Sequence, residues 1–270
     1  MIGVSGAIVN GDSPERPIMS DSKIAIVTGG SRGIGRNTVL SLARRGVRSI
    51  FTYNSNREEA DTVVALAKEA GAEAIALQLD VGDAATFADF ARRVGEALGT
   101  LKAERFDYLV NNAGTSSAAN LQSITEAEMD GLYRVHFKGV LFLTQTLLPL
   151  MNDGGRIVNI SSGLARFAMP GRIGYGSIKA AVETLSRYMA VDLAPRRIAV
   201  NVVAPGAIAT DFSGGMVRDN PQINKAVADI TALGRVGTPE DVGPVIASLL
   251  SDDLGWVNAQ RIEVAGGVHI

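Results

Sequence analysis

Residues 24–35 read Ile24-Ala25-Ile26-Val27-Thr28-Gly29-Gly30-Ser31-Arg32-Gly33-Ile34-Gly35. The unbroken apolar run at the start is what a strand buried on both faces of a parallel sheet requires. Glycines at 29, 33 and 35 follow at once; they permit a tight strand-to-helix turn and let a bulky anion approach the main chain. A helix starting near Gly33 would offer that anion its free amides and the positive end of its dipole. A glycine cluster alone predicts only a turn. With a buried strand before it and a helix after it, the cluster predicts a loop that cradles a dinucleotide pyrophosphate.

Working outward, similar apolar runs recur at residues 49–53, 74–79, 108–110, 157–160, 198–203 and 262–264, with helical patterns between them. Seven strands alternating with helices predict an α/β fold. It is a Rossmann-type, doubly wound parallel sheet of about seven strands, with helices on both faces, right-handed crossovers and a ligand at the carboxyl ends of the strands. Residues 23–270 are read as a single domain. Residues 1–22 carry Gly3, Gly6, Gly11, Pro14 and Pro17 with little periodicity and read as a flexible extension; Met19 is an alternative start.

The chain has 270 residues, 46% hydrophobic and 20% charged, with a net charge of −2, enough for a substantial core. Balanced charge without a basic stripe argues against nucleic acid as a partner and leaves small molecules. With no cysteine, disulfides, thiolate metal sites and cysteine nucleophiles are excluded. No apolar run is long enough to span a bilayer and residues 1–18 do not read as a signal peptide, so a cytoplasmic protein without a membrane partner is expected.

Chemistry is concentrated in residues 161–179. Tyr175 and Lys179 are four apart, so on a helix they share one face with the ammonium close to the phenol. A nearby cation favours the phenolate, which predicts a phenol titrating below its usual value of about 10 and able to trade a proton near neutral pH. Ser162 ends the run 156–160, and the loop between carries Gly163, Pro170, Gly171 and Gly174, so it can fold back to reach the same oxygen. A Tyr–Lys pair of this spacing also occurs on ordinary surface helices.

These residues do not stand alone. Thr28 to Gly35, Asn111-Asn112-Ala113-Gly114, Ser162, Tyr175 with Lys179, and Pro205-Gly206 followed by Thr210 occur in this order. Together they resemble the classical short-chain dehydrogenase/reductase family from about residue 23 onward. The likeness is greatest to NADPH-dependent 3-oxoacyl-carrier-protein reductases and related carbonyl reductases. The resemblance implies that Ser162, Tyr175 and Lys179 are catalytic and that no metal is needed. It implies that Gly29, Ser31, Arg32, Gly33, Ile34 and Gly35 hold the cofactor, together with Asp80, Val81, Asn112, Ala113, Gly114, Pro205, Gly206, Ile208, Thr210 and the catalytic Tyr175 and Lys179. Asp80 can alternatively cap the helix that follows.

NAD enzymes place a carboxylate at the end of the second strand. Residues 51–57, Phe-Thr-Tyr-Asn-Ser-Asn-Arg, carry none, while Arg32 and Arg57 are placed to meet a 2′-phosphate and Asn54 matches a ribose contact of similar reductases. NADP(H) is therefore the expected cofactor. The alternative for Arg57 is a solvated charge at a helix start.

His136 stands where the family usually has asparagine, which bends its helix and holds water linking the lysine to solvent. The histidine can take over that relay, with a proton state that varies near neutral pH, or be satisfied by local backbone. The helix from the Thr125–Glu128 capping box to about Pro149 is apolar on nearly all sides over 140–148, which predicts that a second subunit packs on it, as in the family's homotetramers. Residues 207–233 read as a substrate lid whose Phe212, Met216 and Val217 suit a carbonyl substrate with a nonpolar part. Ala259 and Ala265 depart from the usual glycine and acid of the tail.

The expected function is reduction of a ketone or 3-oxoacyl-type carbonyl to a secondary alcohol with NADPH. Alternatives are an NAD(P)-dependent alcohol dehydrogenase working oxidatively and a non-catalytic nucleotide-binding scaffold.

Overall fold

In a computed structural model describing residues 23–270, the apolar runs become seven parallel strands in the order β3-β2-β1-β4-β5-β6-β7. They are β1 (Ile24–Val27), β2 (Arg48–Tyr53), β3 (Ala74–Gln78), β4 (Phe106–Asn111), β5 (Met151–Ile160), β6 (Ala199–Pro205) and β7 (Arg261–Val264). The helices are α1 (Gly33–Ala43), α2 (Arg57–Glu69), α3 (Phe87–Thr100), α4 (Glu126–Tyr133), α5 (Gly139–Leu147), α6 (Ile173–Asp192), α7 (Met216–Asp219), α8 (Pro221–Asp229) and α9 (Pro239–Leu249). Residues 1–22, including the extension and the alternative start at Met19, lie outside the described residues.

Side chains alternate across each strand, and the two faces of β1 feed two cores. Ile24 and Ile26 pack with α3, α5 and α6, while Ala25 and Val27 pack with α1, α2 and α9. Both faces are covered, which is why the strand reads as a continuous apolar run. Strand order reverses between β1 and β4, where Val27 lies beside Val110. A crevice opens there at the carboxyl ends, the usual ligand position of such sheets.

The helix predicted to run unbroken from residue 125 is interrupted. The capping box forms, with Glu128 N donating to Thr125 Oγ1 at 3.2 Å and Thr125 N to Glu128 Oε2 at 3.0 Å. A π-helical turn, Arg134–Lys138, then separates α4 from α5. The expectation that a second subunit covers much of the apolar stretch 140–148 is narrowed by the chain's own core. Val140, Leu143 and Leu147 are buried in the chain's own core, Leu143 to 1% exposure, and Phe142, at 38%, is the large apolar residue of α5 that turns outward. The sequence overstated the partner's share because Leu141 and Leu148 are themselves partly covered by the core.

The tail carries a local cost. Ala259 has φ of +57°, in the left-handed region that glycine adopts freely and alanine does not. Its N–H is held by Val200 O and Asn258 Oδ1, both at 2.9 Å, so the backbone is pinned there. Replacing Ala259 with Gly is expected to raise stability by about 1 kcal/mol. Urea denaturation at equilibrium would measure it, and a loss of stability would refute the strain.

Candidate active site

The ends of β1 and β4 are spliced by one hydroxyl. Thr28 Oγ1 donates to Val110 O at 3.3 Å and accepts from the N–H groups of Asn112 at 2.9 Å and Ala113 at 3.0 Å. Asn112 Nδ2 returns bonds to Thr28 O at 2.8 Å and Gly29 O at 3.0 Å. The loop 29–35 is thus clamped against Asn112-Ala113-Gly114. A β-carbon on Gly35 would lie 2.1 Å from Gly29 O, and one on Gly29, whose φ is +64°, would lie 2.9 Å from Ala113 Cα. Those glycines are required by packing as well as by turn geometry. The first turn of α1 opens at Gly33 with no side chain capping it, so its amides are left for a ligand.

Around the loop, Thr210 comes next to Gly33: a β-carbon there would sit 3.5 Å from Thr210 Cγ2. Pro205-Gly206 continues from β6, with Gly206 N bonded to Val264 O at 3.0 Å, and Ile208 pairs in an isolated bridge with Gly237. Asn54 and Asp80-Val81 lie at the ends of β2 and β3, further along the sheet. Asp80 Oδ1 accepts from Gly82 N at 2.8 Å, fixing a turn rather than capping a helix. Arg57 is exposed and ion-paired to Asp61 on its own helix at 3.0 Å, as a solvated helix-start charge is. Arg32 is exposed and lines a cleft of about 410 Å³ with Gly114, Arg172, Phe212 and Met216.

Ser162, Tyr175 and Lys179 converge as the spacing predicts. Tyr175 and Lys179 share one face of α6, with Lys179 Nζ 5.6 Å from the phenol ring centroid. That ammonium donates to Ile160 O at 2.7 Å, which ties α6 to the end of β5. Ser162 caps the short turn 163–165, its Oγ accepting from Leu164 N at 3.2 Å. The expected direction of the phenol's titration is wrong, however. Burial pushes Tyr175 up to about 12, against the opposing pull of a Ser162 hydrogen bond and the Arg172 charge. Burial likewise pushes Lys179 down to about 7. Spacing alone carries no information on solvation, and burial is the largest cause of both shifts. Tyr175 is thereby a firmly protonated donor at neutral pH.

His136 falls in the π-helical turn and is buried to 1% exposure. Its Nε2 lies 2.8 Å from Thr115 O and 3.2 Å from Thr115 N, and its ring meets Tyr175 edge-on at 5.5 Å between centroids. Burial, with the Lys179 charge second, drives its pKa down to about 3, so the ring is neutral at neutral pH and the expectation of a variable proton state is corrected. The satisfied-by-backbone reading holds for Nε2. Nδ1 has no partner among the described residues.

Four contacts of the site are not evident from the sequence. Thr28 was only part of a motif, although a hydroxyl closing an apolar strand is a visible signal. Phe212 approaches Tyr175 at 6.1 Å between ring centroids, and Ser213 Oγ bonds Ser116 Oγ at 2.9 Å, which long-range packing alone reveals. Ser161 Oγ also donates to Glu183 Oε1 at 2.7 Å, which pairs with Arg261, whose Nη2 reaches Ser162 O at 3.3 Å.

Lys179 gives a pH signature. Its folded-state pKa of about 7 lies below the ordinary 10.5, so the cost of burying its charge is complete below pH 7, falls between the two values and vanishes above the higher one. The stability difference between Lys179→Met and the parent should favour methionine most at pH 7 or below and shrink toward pH 10. Denaturation midpoints across that range check this; a difference independent of pH would contradict it.

The geometry has close counterparts. A family model described as enoyl-(acyl carrier protein) reductase matches residues 29–269. Versicolorin reductase 1 of Aspergillus parasiticus is 36% identical over 257 residues, covering 92% of this chain and 96% of its own. A solved reductase, LugOII, described as catalysing keto-reduction at C1 during lugdunomycin biosynthesis, superposes with a TM-score of 0.87 at 37% identity, covering 92% of this chain and 98% of its own. The angucycline C-6 ketoreductase LanV, solved with NADP bound, gives 0.86 at 31%, covering 91% and 95%. With the serine, tyrosine and lysine gathered beside a glycine loop, these likenesses show that the chain belongs to the short-chain dehydrogenase/reductase family.

Proposed function

We propose that this protein is an NADPH-dependent reductase that converts a ketone to a secondary alcohol. The observation that carries the reading is a buried, protonated Tyr175 beside Ser162 and Lys179, at the mouth of a loop shaped for a pyrophosphate. The residues fit the cofactor: side chains at Gly29 and Gly35 would collide with the loop itself, and the uncapped first turn of α1 offers amides to an anion. NADPH, when bound, supplies the hydride. Arg32, Ser31, Ile34 and the glycines would hold its phosphates, Asn112 to Gly114 its ribose, Asn54 and Asp80-Val81 the adenosine end, and Ile208 and Thr210 with Pro205-Gly206 the carboxamide. Arg57 would need to leave Asp61 to meet the 2′-phosphate, which makes Arg32 the principal anchor.

Ser162 would hydrogen-bond the ketone oxygen while Tyr175 donates the proton to it. Lys179, charged in part near neutral pH, would hold the ribose and ease departure of the phenolic proton. His136 is assigned to packing: a ring that stays neutral at working pH, edge-on to the phenol, fixes the phenol's orientation. Residues 207–233, with Phe212 leaning over Tyr175 and glycines 214 and 215 at positive φ, would act as the lid.

Tyr175→Phe keeps the ring and removes only the donor. Fluorescence titration should show nearly unchanged NADPH binding, with NADH weaker for both proteins, while ketone reduction followed by NADPH absorbance falls about 10²- to 10⁴-fold. Full activity of the variant on any ketone the parent reduces would end the proposal.

A homotetramer is the proposed assembly. α5 and α6 pack on the same sheet face and turn Phe142, Tyr188 and Val191 outward, which supports one contact, and Leu233, Trp256 and Ile270 are further large apolar side chains left exposed for a second. Light scattering should give four chains, reduced by Phe142→Asp with Tyr188→Asp. A monomeric parent at micromolar concentration would refute it.

A further inference from the structure

The cleft beside Tyr175 carries a cation for which the reduction chemistry has no use. Arg172 immediately precedes α6 and is half-buried in the cleft wall. Its Nη1 donates to Ser117 O at 3.0 Å, which holds the guanidinium against residues 114–118 and leaves the rest of its donor fork unspent. Among the described residues no carboxylate pairs with it. Asp211, the acid in the cleft lining, is taken up by Arg218 instead. Arg32, assigned above to the cofactor, is the second cation of the lining, and Phe212 and Met216 supply its large apolar surfaces between the hydroxyls of Thr115, Ser116 and Ser213.

A guanidinium partly removed from water with no anion beside it is poorly compensated, and a ligand carboxylate or phenolate would complete it with charge-assisted bonds. Arg172 and Tyr175 stand three residues apart where α6 begins, and Phe212, which lines the cleft with Arg172, meets the Tyr175 ring at 6.1 Å between centroids. A carbonyl at Tyr175 and an anionic oxygen at Arg172 are therefore two ends of one small molecule, with its apolar body against Phe212 and Met216.

We infer that the ketone reduced here carries an anionic oxygen, as a carboxylate or an ionised phenol, which docks on Arg172 while the carbonyl lies at Ser162 and Tyr175. The inference rests on the reductase reading above and adds the chemical class of the substrate. Arg172 is on this account a specificity residue: it acts on binding and takes no part in proton transfer.

The test compares 4-acetylbenzoate with its methyl ester as substrates of the parent, Arg172→Lys and Arg172→Met, each with saturating NADPH. Because removing the charge also alters the field at Tyr175 for both ketones, the readout is the acid-to-ester ratio of kcat/KM. That ratio should fall about 10- to 100-fold in Arg172→Met, mainly through KM, with Arg172→Lys intermediate. Measuring 4-hydroxyacetophenone on both sides of its phenol pKa separates the phenolate from the carboxylate: a preference for the ionised form that depends on Arg172 assigns the phenolate too. Benzoate binding to the NADP⁺ complex, followed by calorimetry, gives a second readout independent of turnover, and thermal midpoints confirm that each variant folds. An unchanged ratio, with both ketones reduced, overturns the inference and leaves the reductase reading intact. Arg172-dependent benzoate binding without reduction of any ketone would overturn the reductase reading while the anion site stands. Neither binding nor reduction overturns both.

Discussion

The Thr28 hydroxyl joins the two strands on either side of the point where strand order reverses. Three of its bonds, to Val110, Asn112 and Ala113, fix the end of β4 against the end of β1. The side chain of Asn112 returns two more to the start of the glycine loop. Parallel strands diverge at such a point, and the separation that makes a crevice useful also leaves backbone groups unpaired. One threonine and one asparagine satisfy those groups and set the width of the crevice. The clearances at Gly29 and Gly35 follow from that width.

On the other side of the crevice the governing constraint is dryness. Tyr175, Lys179 and His136 are all buried, and each is held nearer its neutral form than in water. The phenol is kept as a donor, the ammonium is poised near neutrality and the imidazole is uncharged. A lysine in such surroundings responds strongly to any anion or dipole placed beside it, since little solvent intervenes. The carbonyl of Ile160 is that dipole in this structure, and it registers α6 against β5.

The sheet was legible because strands covered on both faces leave uninterrupted apolar runs, and the site because glycine, serine, tyrosine and lysine stand at fixed offsets from strand ends. The helix spacing of Tyr175 and Lys179 correctly put them on one face. What spacing could not supply was the medium between them, so the direction of the phenol's shift came out reversed. The same limit applies to residues 140–148: a stretch apolar on most sides does not reveal which sides its own chain will cover, and Leu143 proved internal while Phe142 did not. The π-helical turn at His136 leaves no periodic trace, since one extra residue in a turn shifts the pattern without erasing it. Arg172 and Ser116 meet the site through loops whose course depends on the whole fold.

The bonded path from Ser162 to residues 268 and 269 has a practical bearing on how the protein is handled. Arg261 links the Ser162 carbonyl to Glu183 and Glu263, and Arg166 joins Glu263 to the carbonyls of Val268 and His269. A change in the course of residues 268 and 269 is therefore transmitted to the loop that presents the serine. The start of β1 lies at the opposite end of the strands, anchored by the ion pair of Lys23 with Asp107. Side chains on that side, away from residues 268 and 269, are the places to attach an immobilising support.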